Sequence, residues 1–295
     1  MIMDPRTNHQ NLSFSVQDII EYVRNVNPNT IIIHRINECD ERKNTKHMNR
    51  KLRAVNYIAD STVYVGSWLK NLNLKHPNSR KDFDRVILNG SDATIYNSEK
   101  FIPWAGNGPI KLVTHHWSNN LMKGWDVYLK LDSLLSQDYW KQRFTFTYIG
   151  KLPKRVTLKN SNHILPLGGV DLVKKISSHH GYITASINEP GGNHQNEGAL
   201  CGLPLLYRDS GCMPEYCNGF GVSFNESNLE DKLIEFHKSY DLLVNLMPNY
   251  PHTASIMSAQ YLEHFNQLIR NRNKIVSERN FKKDLISFYR LRFPI

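Results

Sequence analysis

Glu189 and Glu197 stand with seven residues between them, and the stretch they bracket, Pro190-Gly191-Gly192-Asn193-His194-Gln195-Asn196, reads as a loop opening into a helix. Two consecutive glycines permit positive φ and let a ligand approach the backbone closely. From Asn196 the chain looks helical, and Gly202 with Pro204 ends that helix early. A strand, a glycine loop and a helix N-terminus in succession make an anion site, because free N–H groups point at a bound phosphate. Glu197 falls in the first helical turn, where the helix dipole favours a negative charge. Lys123, after a strand and before Gly124, adds a cation suited to phosphate. Each residue also has an ordinary reading: a helix-capping glutamate, and a solvated lysine at a helix start.

Other groups with chemical potential are weaker. His34 follows a buried apolar strand and is as readily a structural histidine as a ligand. His115-His116 and His179-His180 are adjacent pairs, and neighbours on a strand point to opposite faces, so no metal is expected. Trp104, Trp117, Trp125 and Trp140 suit core packing better than a stacking platform.

The elements that must carry these residues follow a β–α–β rhythm. Ser15-Val16-Gln17-Asp18 has the form of a capping box, and Ile19, Ile20 and Val23 continue it as an apolar helical stripe. Thr30 to Ile33 reads as a strand of the kind buried in a parallel sheet. Further strands are expected at 61–65, 86–88, 110–114, 144–150, 164–167, 181–186 and 203–207, with helices between them, and mostly helix beyond Asn225. This is an α/β pattern. Residues 97–109, with Pro103, Gly106, Gly108 and Pro109, lack periodicity and read as a linker. The chain then divides into an N-terminal domain over 1–102, a second over 103–265 and a helical tail over 266–295 that packs back on the first.

Composition narrows the function classes. At 295 residues the chain is long enough for two ordinary domains. Hydrophobic content of 40% and charged content of 22% are those of a soluble globular protein. No apolar run approaches the ~20 residues that span a bilayer. The opening Met1-Ile2-Met3-Asp4-Pro5-Arg6 lacks signal-peptide form, so a cytoplasmic protein is expected. The four cysteines show no zinc spacing and are expected to be reduced thiols. A formal net charge of +10 points to an anionic partner: nucleotide phosphates, lipid headgroups, an acidic glycan or nucleic acid. Nucleic acid ranks last, with charge its only support. Docking of the basic stretch 270–292 on an anionic membrane is an open alternative. A nicotinamide dehydrogenase is disfavoured, since no Gly-x-Gly-x-x-Gly follows any expected strand.

Several features stand in one order: His34 after a strand, Ser67 after Tyr64-Val65-Gly66, Asn89-Gly90-Ser91-Asp92, Lys123-Gly124, the Glu189-x7-Glu197 loop running into Gly198-Ala199-Leu200-Cys201-Gly202-Leu203-Pro204, and Gly211-Cys212-Met213-Pro214-Glu215. From about Thr30 onward that order resembles the retaining GT-B glycosyltransferases, in particular family 4 (glycosyl transferases group 1). The resemblance implies two Rossmann-like domains, the first shortened in this chain, and a nucleoside diphosphate sugar such as a UDP- or GDP-sugar held mainly by the second. It maps the phosphate-binding lysine onto Lys123 and the glutamate near the donor sugar onto Glu189. The glutamate of the ribose hydroxyls maps onto Glu197, and a histidine approaching the sugar onto His34. Backbone amides around Gly192, Asn193 and His194 would face sugar and diphosphate. No metal or other cofactor is implied.

Two departures stand out. Family members carry an arginine a few residues before the lysine, whereas this chain has Trp117-Ser118-Asn119-Asn120, so Ser118 or Asn119 would take its place on the phosphates. Only some thirty residues precede His34, short for a complete first domain, which bears on acceptor binding. The expected activity is therefore transfer of a hexose, with retention and without metal, to a glycan, lipid or small-molecule acceptor. The alternative is a catalytically silent GT-B module that holds nucleotide or glycan.

Overall fold

Ser15 opens the first helix as the residues predict. Its hydroxyl accepts from the Asp18 amide at 3.3 Å while the Asp18 carboxylate accepts from the Ser15 amide at 2.5 Å. Each satisfies a backbone group that the first helical turn leaves without a partner. The helix runs Val16–Asn25 and buries Val16, Ile19, Ile20 and Val23. Residues 2–3, 15–76 and 82–279 are described, from a computed structural model. Most of the opening segment Met1 to Arg6, the basic stretch past residue 279 and the tail over 280–295 lie outside them.

The chain forms two units, residues 1–88 with 257–295, and residues 89–256. The first has a parallel four-stranded sheet in sequential order: β1 (Ile2–Met3), β2 (Ile33–Ile36), β3 (Ser61–Tyr64) and β4 (Arg85–Val86). The expected strand at 30–33 begins later, because the Ile32 amide donates to the Asp60 carboxylate at 2.7 Å instead of entering the ladder. Two apolar clusters flank this sheet. Val16, Ile19, Ile20 and Val23 pack with Ile32, Val55 and Ile58. Ile33, Val63, Phe83 and Ile87 pack with Leu268 and Ile275. The last two come from helices Ala254–Arg270 and Arg272–Ser277, so the chain's far end completes the core of its beginning. Arg279 seals that return. Its guanidinium donates to both Asp60 oxygens at 2.8 and 2.6 Å and to the Pro28 carbonyl at 2.7 Å, with both charged side chains shut from water.

The second unit has six parallel strands: β5 (Ile110–His116), β6 (Phe144–Gly150), β7 (Asn162–Ile164), β8 (Gly181–Thr184), β9 (Leu205–Arg208) and β10 (Gly221–Phe224), in the order β10-β9-β8-β5-β6-β7. Residues 144–150 form the expected strand to the residue. The edge strand β7 stops at Ile164, before Pro166, which has no amide to donate to a ladder. Strand β10 is absent from the sequence expectations; Gly221 and Ser223 leave it only two apolar residues, Val222 and Phe224. Trp125, Tyr128, Phe144, Phe146, Tyr148, Phe224 and Phe236 fill the core.

The sequence places the domain boundary at 102/103, whereas contacts place it after Leu88. Residues 89–109 belong with the second unit because of what they bind. The Asn89 amide donates to Tyr216 Oη at 2.7 Å, Ser91 bridges Thr253, and the Trp104 amide donates to Tyr240 Oη at 3.0 Å. A stretch poor in periodicity is held by one isolated backbone bridge and by tyrosine hydroxyls instead of a ladder.

Candidate functional site

The strand order of the second unit contains one reversal. From β5 the chain proceeds outward to β6 and β7, then returns to the other side of β5 for β8, β9 and β10. Loops leaving the carboxyl ends of β5 and β8 therefore flank a topological switch point, the place where open α/β sheets bind ligands. Both loops singled out in the sequence leave from this point. Lys123 follows β5, and Glu189 with the glycine pair follows β8.

The two loops are tied together. The Ile187 amide donates to the Met122 carbonyl at 2.8 Å. Lys123 Nζ donates to Glu189 Oε2 at 3.0 Å, with the side chains only 13% and 6% exposed. Gly124, at φ +93°, makes the approach possible, since a Cβ there would lie 2.2 Å from the Ala185 carbonyl oxygen. Gly192 has a comparable reason, as its Cβ would stand 2.7 Å from His194 Nδ1 and 3.2 Å from Glu189 Cδ. Behind the loop, Asn89 Nδ2 donates to the Gly191 carbonyl at 2.5 Å and Asn196 Nδ2 to the Asn89 carbonyl at 3.1 Å. Tyr250 Oη donates to Asn196 Oδ1 at 2.6 Å.

The helix after the loop runs His194–Leu200 and starts two residues earlier than expected. Its seven residues make a small dipole, so Lys123 supplies most of the positive charge at this loop. Glu197 lies in its first turn as predicted, and its carboxylate is already engaged. His115 Nε2 stands 2.7 Å from Glu197 Oε2. Tyr182 Oη accepts from the His115 amide at 3.1 Å and lies 2.9 Å from His115 Nδ1. Tyr96 also hydrogen-bonds Glu197, and its phenol is pushed up to about 12, by burial first and then by the Glu197 charge.

His194 Nε2 pairs with Thr184 Oγ1 at 2.7 Å, and His116 Nε2 with Tyr128 Oη at 2.9 Å. The His116 and His194 rings meet edge to face at 4.7 Å. Each of the three imidazoles near the loop thus has an oxygen partner of its own. Ser118 and Asn119 are exposed beyond β5, and Ser118 Oγ accepts from the Asn120 amide at 3.2 Å. Asn120 in turn caps the 3-10 turn Leu121–Lys123, its side chain accepting from the Met122 amide at 2.9 Å.

His34 belongs to the first unit and sits on β2 without solvent exposure. Its Nδ1 lies 3.2 Å from Asn56 Nδ2, and its Nε2 is buried without a partner among the described residues. Burial drives its pKa down to about 3, so the ring is neutral at ordinary pH. One acidic pair escapes the sequence reading. Asp82-Phe83-Asp84 has the Asp-x-Asp form by which metal-dependent glycosyltransferases hold a cation. Asp84 is bound to Lys75 Nζ at 2.6 Å and accepts from the Thr62 amide at 3.2 Å, an arrangement that serves the β3–β4 edge. The sequence reading also missed His115, Tyr182, Tyr96 and Asn196 as partners of the loop. Only Asn89 and Asn196 stood inside a motif, and nothing local marks a side chain whose partner is 82 residues away.

No family model matches the chain, and no curated protein matches it. Solved structures do. Sucrose-phosphate synthase from Thermosynechococcus elongatus superposes with a TM-score of 0.64 at 11% identity, over 86% of this chain and 71% of that one. The Anabaena protein HepE, in complex with UDP and glucose, gives 0.60 at 13% identity, over 85% and 75%. The catalytic domain of starch synthase IV from Arabidopsis thaliana, bound to ADP and acarbose, gives 0.58 at 11%, over 85% and 70%. These neighbours are GT-B glycosyltransferases, and the likeness at such identities establishes the fold: this chain is an α/β protein of GT-B type with Rossmann-like domains.

Proposed function

We propose that the protein is a retaining, metal-independent glycosyltransferase of the family 4 type, moving a hexose from a nucleoside diphosphate sugar to a glycan, lipid or small-molecule acceptor. The observation that carries this reading is the Lys123–Glu189 pair at 3.0 Å over the glycine loop, at the switch point of the six-stranded sheet. Complexes of neighbours with UDP and glucose, and with ADP, support a nucleotide-sugar donor.

In this reading Glu189 holds Lys123 in place while the site is empty. When donor enters, the ammonium passes to the diphosphate, whose charge rises as the bond from the anomeric carbon to phosphate oxygen breaks. Loop amides around Gly192, Asn193 and His194 add neutral donors to the same oxygens, and Ser118 and Asn119 add polar contacts from the β5 side. Glu189, released from the lysine, accepts from sugar hydroxyls and stabilises the positive charge developing on the ring. The acceptor oxygen attacks on the face that the phosphate leaves, and the departing phosphate oxygen takes its proton. Glu197, oriented by His115 and Tyr96, accepts from the ribose hydroxyls. His34 is assigned no step, because it is neutral and fully buried within its own unit.

A silent binding module is the second reading, favoured by the uncharged, exposed Ser118-Asn119 where a second phosphate cation would stand. The test is a panel of UDP-, GDP- and ADP-sugars with the full chain, read as donor binding, hydrolysis and transfer. Lys123→Ala and Glu197→Ala should each weaken donor binding about tenfold or more. Unchanged binding in both variants would sink the site assignment, and binding without turnover on any acceptor would select the silent module. Retention is read from the anomeric configuration of the product.

A further inference from the structure

The second unit carries another cluster of cations, at the opposite end of its sheet from the glycine loop. Lys111 is the second residue of β5, and His116 is its last. Five residues of strand put the two ends ~17 Å apart. Around Lys111 lies a cavity of about 390 Å³ to which Lys100, Lys174, Ser177, Ser178 and His180 also contribute. The volume is that of a small-molecule pocket.

Its chemistry is one-signed. Among the described residues, no carboxylate lies within ion-pairing distance of Lys100, Lys111 or Lys174, all three of them exposed. Lys174 sits in the last turn of helix Gly169–Ile176, where its charge complements exposed carbonyls, which accounts for one of the three. Lys100 and Lys111 come from other elements and have no such reason to converge.

Two neutral donors accompany the lysines. Ser177 is 4% exposed, and among the described residues its Oγ meets only the weakly accepting Cys201 thiol. A thiol sulfur is a weak acceptor, so a ligand oxygen would be the better partner for this hydroxyl. His180 Nδ1 accepts from the Lys111 amide at 3.1 Å, so the neutral ring keeps its hydrogen on Nε2 as a donor. Burial and then the Lys111 charge lower His180 to about 4, so it stays neutral. Ser178 Oγ is spent on the Lys175 carbonyl at 2.7 Å.

We propose that this cavity binds a phosphate-bearing ligand, at a site separate from the glycine loop. Three ammonium groups and two neutral donors from three elements match a phosphoryl group, with its several acceptor oxygens and double charge. The phosphate belongs either to a soluble small molecule or to a lipid headgroup.

The experiment uses the full chain with Lys123→Ala in place, which removes the loop lysine from the measurement. Inorganic pyrophosphate is titrated by calorimetry, and phosphatidylcholine vesicles with and without phosphatidic acid are sedimented with the protein. Binding by either probe is expected, weakened about tenfold by Lys100→Gln with Lys174→Gln. These are exposed positions, and an unchanged thermal melt confirms that the double variant folds. Pyrophosphate binding identifies a soluble ligand, and dependence on phosphatidic acid alone identifies a headgroup. The proposal is overturned if neither probe binds, or if binding ignores the double substitution.

Discussion

The two units are both parallel α/β sheets, yet they spend their polar residues differently. In the first, strand order is sequential among the described strands, and buried polar groups pair with one another: Arg279 with Asp60, and Asn56 with both His34 and Thr62. In the second, the order reverses at β5, and the polar groups Lys123, Glu189, His115 and Glu197 gather at that switch point. A sheet without a reversal gives its strand-end residues structural partners. A sheet with one leaves them space for a ligand. The same residue type illustrates this. His34 is sealed and neutral, whereas His115 holds a carboxylate that remains 18% exposed.

Acid has the largest expected effect on both units. Burial lowers His34 to about 3 in the first unit, and His179, His180 and His252 each to about 4 in the second. The unfolded chain protonates these rings near pH 6.5 while the folded chain does not, so the unfolded state binds more protons. Stability is therefore full above about pH 6.5 and falls continuously as pH drops toward 3. Urea unfolding at pH 7.5 and pH 5 should register the loss, and His34→Gln should flatten the slope of the first unit alone. A slope unchanged by that substitution would mean that His34 is not the sealed group described.

Arg279→Ala should cost about 3–5 kcal/mol, since it leaves the Asp60 carboxylate charged and buried. Denaturant unfolding followed separately for each unit would find the loss in the first. A cost below about 1 kcal/mol would show that water already reaches the pair. Tyr128→Phe probes the second unit's interior. It removes a hydroxyl that lies 2.9 Å from His116 Nε2 and accepts from the Ala185 amide at 3.2 Å, for an expected cost of about 1–3 kcal/mol. His115→Ala has the smallest effect and sharpens the functional half of the comparison. Nucleoside diphosphate binding should weaken about tenfold, while a 2′,3′-dideoxy analogue loses little. Equal losses for both would assign His115 a purely structural role.

The local layer of this protein was readable from residues alone. The Ser15–Asp18 capping box, strand Phe144–Gly150, the glycine loop and the early end of the helix at Gly202 involve neighbours within about one turn or one ladder. Apolar periodicity and the hydrogen bonds of short segments contain that information. The resemblance of the motifs in their order also anticipated the GT-B fold. Tertiary structure decided what lies far apart in the chain. It set β5 between β6 and β8, which creates the switch point. It brought Lys123 to Glu189 across 66 residues and His115 to Glu197 across 82. It also returned Arg279 to Asp60 across 219, moving the division between units to Leu88 and Ile256. Such pairs depend on which loops the packed chain closes, and the spacing of residue types along a segment carries no term for that.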